Sequence, residues 1–273
     1  MSIVIGIDAG GSMTKIAGTE DGHVIKSCVS APAGDPIDNT LNKFMRGNGI
    51  TPGDIAHAML TGVGASSIGN DICGIPASRV DEFQADGMGA RHLSGLDRFV
   101  AVSMGTGTTL VRVESDEIRH MGGISMGGGA LVGLSRLMLH TTDIGKVAEM
   151  ASHGDVSRVN LQIKDISEEE IEGLPMHATA SLFAKAAKSD ARPEDIAKGI
   201  IWAVLETIGS CAVLSQINGG LKDFVLIGSL TQLPECREIF PMMEDLYGVR
   251  FHIPGHARFA TALGAALGYN NHG

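Results

Sequence analysis

The chain has 273 residues and a formal net charge of −10, with 44% hydrophobic and 19% charged residues. Such a composition describes a folded globular protein with a substantial core, in one large or two smaller domains, and excludes an intrinsically disordered chain. The acidic balance argues against nucleic acid or an anionic membrane as partner, since both recruit basic surfaces.

Residues 3–15 read I-V-I-G-I-D-A-G-G-S-M-T-K, a short apolar run ending in Asp8, two glycines, a hydroxyl residue and a lysine. This is the pattern of a buried strand entering a tight turn. Gly10 and Gly11 let backbone amides approach an anion, Ser12, Thr14 and Lys15 add donors, and Asp8 is placed to hold a hydrated Mg²⁺. Strands are expected at residues 3–7, 14–18 and 23–30, with a D-G turn at 20–22, then a helix over 36–47. A strand at 56–60 ends in Thr61-Gly62-Val63-Gly64, and a small-residue helix follows at 85–93.

The strand, turn, strand pattern then restarts. Residues 99–103 and 110–113 flank Met104-Gly105-Thr106-Gly107-Thr108-Thr109, a second hairpin able to offer amides and hydroxyls to phosphate. A third glycine-rich segment, 122–129, opens an apolar helical pattern, so Gly127, Gly128 and Gly129 would place amides and the positive dipole end toward an anion. Helices are expected at 143–153 and 177–188, a short exposed strand at 159–163, and a long helix from Pro193 with Gly219 at its C′ position. Residues 224–227 form another buried-strand run stopping at Gly228-Ser229, a strand is expected at 249–253, and residues 257–268 close the chain as a helix. The two hairpin openings suggest a duplicated architecture with a boundary near residue 95.

No stretch is read as reaching transmembrane length, and no signal segment precedes the first strand. Cys28, Cys73, Cys211 and Cys236 are scattered without C-x-x-C spacing, which fits reduced thiols and offers no zinc or iron–sulfur site within one chain. The expected location is the cytoplasm.

The opening I-G-I-D-A-G-G-S, the G-T-G-T hairpin, G-G-I-S-M-G-G-G, the Ile-Gly-Ser strand end and the terminal A-L-G-A-A-L helix resemble the acetate and sugar kinase/actin-like ATPase superfamily. Glu82-Phe83 with Gly87 and Gly89, Ser125 to Gly129 with Gly133-Leu134, and Met150 to Asp155 resemble type II pantothenate kinase. The resemblance implies an α/β protein of two actin-like, ribonuclease-H-like lobes, with mixed sheets flanked by helices and a nucleotide cleft between them. The lobes would be residues 1–95 and 96–273, the second carrying dimerisation helices. It implies ATP-dependent, Mg²⁺-assisted phosphorylation of the primary hydroxyl of pantothenate, the first step of coenzyme A synthesis, by a homodimer.

Carried over position by position, Glu82 would be the general base and Asp8 the Mg²⁺-organising carboxylate. Gly10, Gly11, Ser12, Lys15, Gly105, Thr106, Gly107, Thr108, Gly127, Gly128, Gly129, Gly228 and Ser229 would line the nucleotide. Thr106 would also meet the substrate, and Thr179 and Ala180 would reach the substrate pocket of a partner subunit. The family's arginine before the glycine-rich helix falls on His120, with Arg119 one residue earlier; an imidazole cannot replace a guanidinium fork, so Arg119 is the candidate to bind substrate and developing charge. Two rival readings follow: an actin-like nucleotide-binding protein that is non-catalytic or has an altered substrate, and an activator ATPase of a 2-hydroxyacyl-CoA dehydratase, which would need clustered cysteines.

Overall fold

The computed structural model describes residues 3–271 apart from 22, 25–27, 116, 170 and 189. In chain order the elements are β1 (Ile3–Ala9), β2 (Met13–Glu20), β3 (His23–Val24), β4 (Val29–Pro32), α1 (Ile37–Asn48), β5 (Ile55–Thr61), β6 (Asp71–Ile72), β7 (Ile75–Arg79) and α2 (Glu82–Ser94). They continue with β8 (Arg98–Met104), β9 (Thr108–Glu114), β10 (Glu117–Ile124), α3 (Gly128–Leu139), α4 (Ile144–Ser152), β11 (Leu161–Gln162) and β12 (Thr179–Ser181). The chain ends with α5 (Pro193–Leu214), β13 (Asp223–Ile227), α6 (Cys236–Tyr247), β14 (Arg250–His252) and α7 (Ala260–Leu267).

Two compact units result. The first comprises Met1–Gly123, Asp223–Thr231 and His252–Gly273, and the second Ile124–Lys222 and Gln232–Phe251. The first unit thus holds β8 and β9, most of β10, and the late-returning β13 and α7 together with β1 to β7.

Both large sheets belong to the first unit. One runs β3-β2-β1-β5-β7-β6 with β4 also on β2; β1 and β2 are antiparallel, while β1, β5 and β7 are parallel. The other runs β10-β9-β8-β13 within this unit, with β8 antiparallel to β9 and parallel to β13. Alternation along β1 sorts its side chains: Ile3, Ile5 and Ile7 join Leu41 and Phe44 of α1, while Val4 joins Ala85 of α2 and Ala265 of α7. Asp8 has the parity of Val4 and so lies on the α2 side.

Helices α2 and α7 also meet the other sheet, where Ala90 and Ala260 pack with Phe99, Ala101, Val111 and Val225. They lie close together because they cross on glycine. A Cβ at Gly264 would stand 1.8 Å from the Ala85 carbonyl oxygen, and one at Gly89 would stand 1.9 Å from that of Ala260.

The second unit is mainly helical, with α5 packed on α3, α4 and α6. By length and hydropathy α5 could cross a membrane, contrary to the expectation that no stretch reaches that length, yet most of it is buried inside the fold. Its buried residues include Ile200, Ile201, Val204, Leu205 and Ile208, which is how a core helix is composed.

Several sequence expectations change here. Residues 177–188 are not a helix: β12 gives way to turns, with Phe183 at φ 56° and its amide donating to Asn160 Oδ1. The expected exposed strand at 159–163 shrinks to β11, and Val159 and Asn160 are fully buried. The long helix stops at Leu214 with Ser215 as its cap, short of Gly219. Gly122 to Ile124 end strand β10, and the glycine-rich helix starts only at Gly128. Strands β6 and β7 have no counterpart in the sequence reading. Of the stretch read as a strand at 23–30 and the turn before it, residues 22 and 25–27 lie outside the described residues.

Candidate active site

The carboxyl ends of β1, β5 and β8 and the first turns of α2 and α7 bring together a polar cluster within the first unit. Asp8 ends β1 and pairs across the strands with Lys15 on β2 and Thr61 on β5. Lys15 Nζ donates to Asp8 Oδ2 at 3.1 Å, and both side chains are buried. An ion pair this far from water needs its second partner, because either charge left alone there costs several kcal/mol.

The loop after β5 is shaped around the same carboxylate. Gly62 has φ +89°, and a Cβ there would meet the Ala9 carbonyl at 2.7 Å and Asp8 Oδ1 at 2.8 Å. Only glycine fits that conformation at that distance.

Helix α2 begins beside this corner. Asp81 is its N-cap, its carboxylate accepting from the amides of Phe83 and Gln84 at 3.0 Å each. The capping role therefore belongs to Asp81, which leaves Glu82, the first residue of the helix, free for other work. Glu82 is half-buried, and its pKa is raised first by that burial, then by the Asp8 charge and less by Asp81, with Lys15 pulling the other way.

One turn further along α2, Asp86 is 1% exposed. Thr261 of α7 donates to its Oδ1 at 2.6 Å, while Oδ2 is buried with no hydrogen-bond partner among the described residues. Burial pushes this carboxyl up to about 7, helped by the charges of Glu82 and Asp8; the Thr261 and Ser103 hydroxyls only partly offset it.

The turns that follow β1 and β8 meet each other. Ser12 Oγ and Thr106 Oγ1 are 2.8 Å apart, linking the β1–β2 turn to the β8–β9 turn. Gly10 closes the first of these turns by donating to the Met13 carbonyl at 3.1 Å, and Gly11 lies next to Thr106 and Val63. Gly105, Thr106 and Gly107 form the second turn, followed by buried Thr108. Gly228 and Ser229 end β13, where Gly228 donates to the Ala257 carbonyl at 3.0 Å.

Arg119 and His120 are exposed on β10. Ile118 abuts Gly87 of α2, and the His120 ring stacks on Phe83 with centroids 3.9 Å apart and planes at 4°. Strand alternation therefore turns Ile118 and His120 toward α2 and Arg119 to the opposite face.

In the second unit, Gly127 is the N-cap of α3, with Gly128 and Gly129 as its first residues. A glycine cap has no side chain to bond the first amides, which stay available to an anion. Thr179 on β12 hydrogen-bonds Glu206, a carboxyl that burial pushes upward, and Ala180 is exposed.

Asp8 is suited to Mg²⁺, which takes one or two carboxylates and completes its shell with water and phosphate oxygens. Among the described residues no group of three His, Cys, Asp or Glu side chains could hold a metal by itself, so phosphate oxygens would have to supply the rest. Asp86, Ser103, Thr61 and Thr261 were not foreseen. The spacing of Glu82 and Asp86, four apart on one helical face, was the available signal.

The family model described as Fumble matches residues 98–236, about half the chain. This chain belongs to the Fumble family. Type II pantothenate kinase of Staphylococcus aureus (strain USA300) is 28% identical over 270 residues, covering 96% of this Fumble chain and 97% of the relative. Asp8, Lys15 and Glu82 precede the Fumble segment. Among solved structures, the Acidaminococcus fermentans (R)-2-hydroxyglutaryl-CoA dehydratase component A aligns at TM-score 0.68 and 18% identity, over 98% of this chain and 97% of that one. The ROK hexokinase of Thermus thermophilus aligns at TM-score 0.58 and 14% identity, over 99% and 100%. The fold is that of the actin-like ATPases.

Proposed function

We propose that this Fumble-family chain is an ATP-dependent kinase that phosphorylates the primary hydroxyl of pantothenate or a close analogue, as the first step of coenzyme A synthesis. The observation that carries the reading is Glu82: a half-buried carboxylate, relieved of capping by Asp81, within electrostatic reach of the buried Asp8–Lys15 pair. Glu82 takes the proton of the acceptor hydroxyl as its oxygen bonds the γ-phosphorus and the bond to the leaving ADP breaks. Positioning and charge neutralisation carry most of such a transfer, and the base adds roughly 10²–10⁴-fold. Its upward-shifted pKa brings it closer to the working pH, where a base is most effective.

Asp8 would hold Mg²⁺, which when bound neutralises charge on the phosphates. Gly10, Gly11, Ser12, Lys15, Gly105, Thr106, Gly107, Thr108, Gly228 and Ser229 are assigned to the nucleotide, and the open N-terminus of α3 at Gly127, Gly128 and Gly129 is an anion-binding element of its own. Thr106, Arg119 and His120 are assigned to the acceptor, and Thr179 and Ala180 to the acceptor pocket of a partner subunit in a homodimer. A cytoplasmic location and lobes divided at residues 95 and 96 complete the proposal; all of β1 to β7 precede that boundary and β8 to β14 follow it.

An altered acceptor is the second reading, favoured by His120, which stands where the family resemblance implies an arginine and is stacked on Phe83. An iron–sulfur activator role is disfavoured by the placement of the cysteines. Cys28 precedes β4, Cys73 sits in the turn between β6 and β7, Cys211 lies on α5 and Cys236 opens α6, and among the described residues no group of three His, Cys, Asp or Glu side chains could hold a metal.

A coupled ADP-release assay over pantothenate, pantetheine and sugars tests the reading. Pantothenate-dependent turnover supports it, turnover on another alcohol supports the altered acceptor, and acceptor-independent ATP hydrolysis alone would sink both.

A further inference from the structure

Behind the base stands a second carboxyl with no assigned role. Asp86 lies one turn beyond Glu82 on the same side of α2, about 6 Å away between Cβ atoms by helix geometry. Its neighbours on α2 lie in apolar clusters: Ala85 packs with Met59 and Ala265, and Ala90 with Phe99 and Ala101. The polar and charged groups that bear on it are the hydroxyls of Thr261 on α7 and Ser103 on β8, and the carboxylates of Glu82 on α2 and Asp8 on β1. Among the described residues no cation pairs with it directly, and Oδ2 has no hydrogen-bond partner.

We propose that Asp86 is a positioning residue for the base: anchored to α7 by Thr261, it keeps the proton shared by the two carboxyls and so leaves Glu82 as the ionised member of the pair. The physical reason is the difference in hydration. Two carboxylates one turn apart cannot both ionise cheaply, and the charge settles on the group with access to water. Glu82 is half-buried and Asp86 is 1% exposed, so the charge belongs to Glu82. In turnover below the Asp86 midpoint, the acceptor O–H proton passes to Glu82, the acceptor oxygen bonds phosphorus as the bond to ADP breaks, and Glu82 then returns its proton to solvent while Asp86 keeps its own. This catalytic consequence rests on the kinase reading, whereas the protonation state does not.

The test therefore has two arms. In the first, carboxyl ¹³C shifts of aspartate-labelled protein are followed through a pH titration, with Asp86→Asn identifying the signal. The expected midpoint is about 7. Glu82→Gln should lower that midpoint, because a like charge has been removed, and Thr261→Val should raise it, because a donor to the ionised form has been lost. An Asp86 signal titrating in the ordinary aspartate range, or one indifferent to Glu82→Gln, overturns the proposal whether or not the chain proves to be a kinase. In the second arm, the pH profile of kcat and of the KM for ATP should show an ionisation near neutrality in the wild type that Asp86→Asn lacks, with the acid limb in the same place in both. Identical profiles would overturn the catalytic part of the proposal. Failure of the kinase reading appears separately, as a Glu82→Gln variant with unchanged turnover.

Discussion

Lys15 and Asp8 face each other across the β1–β2 pair with Nζ 3.1 Å from Oδ2, and neither side chain is more than 9% exposed. Each is the other's compensation for lost water. Lys15→Met should therefore cost about 3–5 kcal/mol in chemical denaturation, the range for stranding one partner of a buried pair. It should also leave a second mark. Lys15 lowers the pKa of Glu82, so its removal should move the acid limb of the rate profile to higher pH. A stability loss with an unmoved limb would show that Lys15 serves Asp8 alone.

Glu82→Gln should reduce kcat by roughly 10²–10⁴-fold while the KM for ATP stays within a factor of two or so. The carboxylate acts on the acceptor hydroxyl, and Asp81 already caps the helix, so capping does not depend on Glu82. Asp8→Asn should behave differently, raising the Mg²⁺ requirement and lowering turnover together. A Glu82 variant whose kcat and ATP affinity fell in parallel would reassign the residue to structure.

The legible parts of this chain were those whose backbone chemistry is local. Asp8 and the glycines after β1 could be read because a strand end, a tight turn and an anion site need the same small set of residues. The helix at 177–188 could not be read correctly, because its apolar spacing is genuine but Asn160, 23 residues away, captures the Phe183 amide. Strands β6 and β7 were missed for their brevity; β7 alternates only over Ile75 to Arg79, where Ile75 and Ala77 turn inward. Asp86 escaped notice because an acid near the start of a helix reads as a solvated face, and only β8 and α7 make it a buried group. Long-range contacts decided each of these cases.

His120 and Arg119 exchange weight once strand alternation is taken into account. The sequence alone favours Arg119 as the residue replacing a family arginine, with Arg119→Ala raising the acceptor KM and His120→Ala doing little. Since His120 stacks on Phe83, next to Glu82, and Arg119 lies on the other face of β10, the opposite order in kcat is expected. An aromatic stack is worth about 0.5–1.5 kcal/mol, so His120→Ala should lower kcat roughly two- to tenfold and His120→Phe should restore it. A larger loss from Arg119→Ala, expressed in acceptor KM, would return the substrate contact to Arg119.

Asp86 also leaves a signature in stability that needs no substrate. Its folded pKa of about 7 lies above its ordinary value of 3.8, so the native state binds more protons than the unfolded one across that interval. Stability from this group is therefore fully present below the unfolded pKa, falls as pH rises toward 7, and is level beyond it. The full fall is at most on the order of 4 kcal/mol. Asp86→Asn has no proton to lose, and its amide can still accept from Thr261. The difference in unfolding free energy between variant and wild type should thus shift in favour of the variant between about pH 4.5 and about pH 7.5. Urea denaturation at those two values measures it. A difference that stays constant with pH would mean that Asp86 carries the same charge in the folded and unfolded chain.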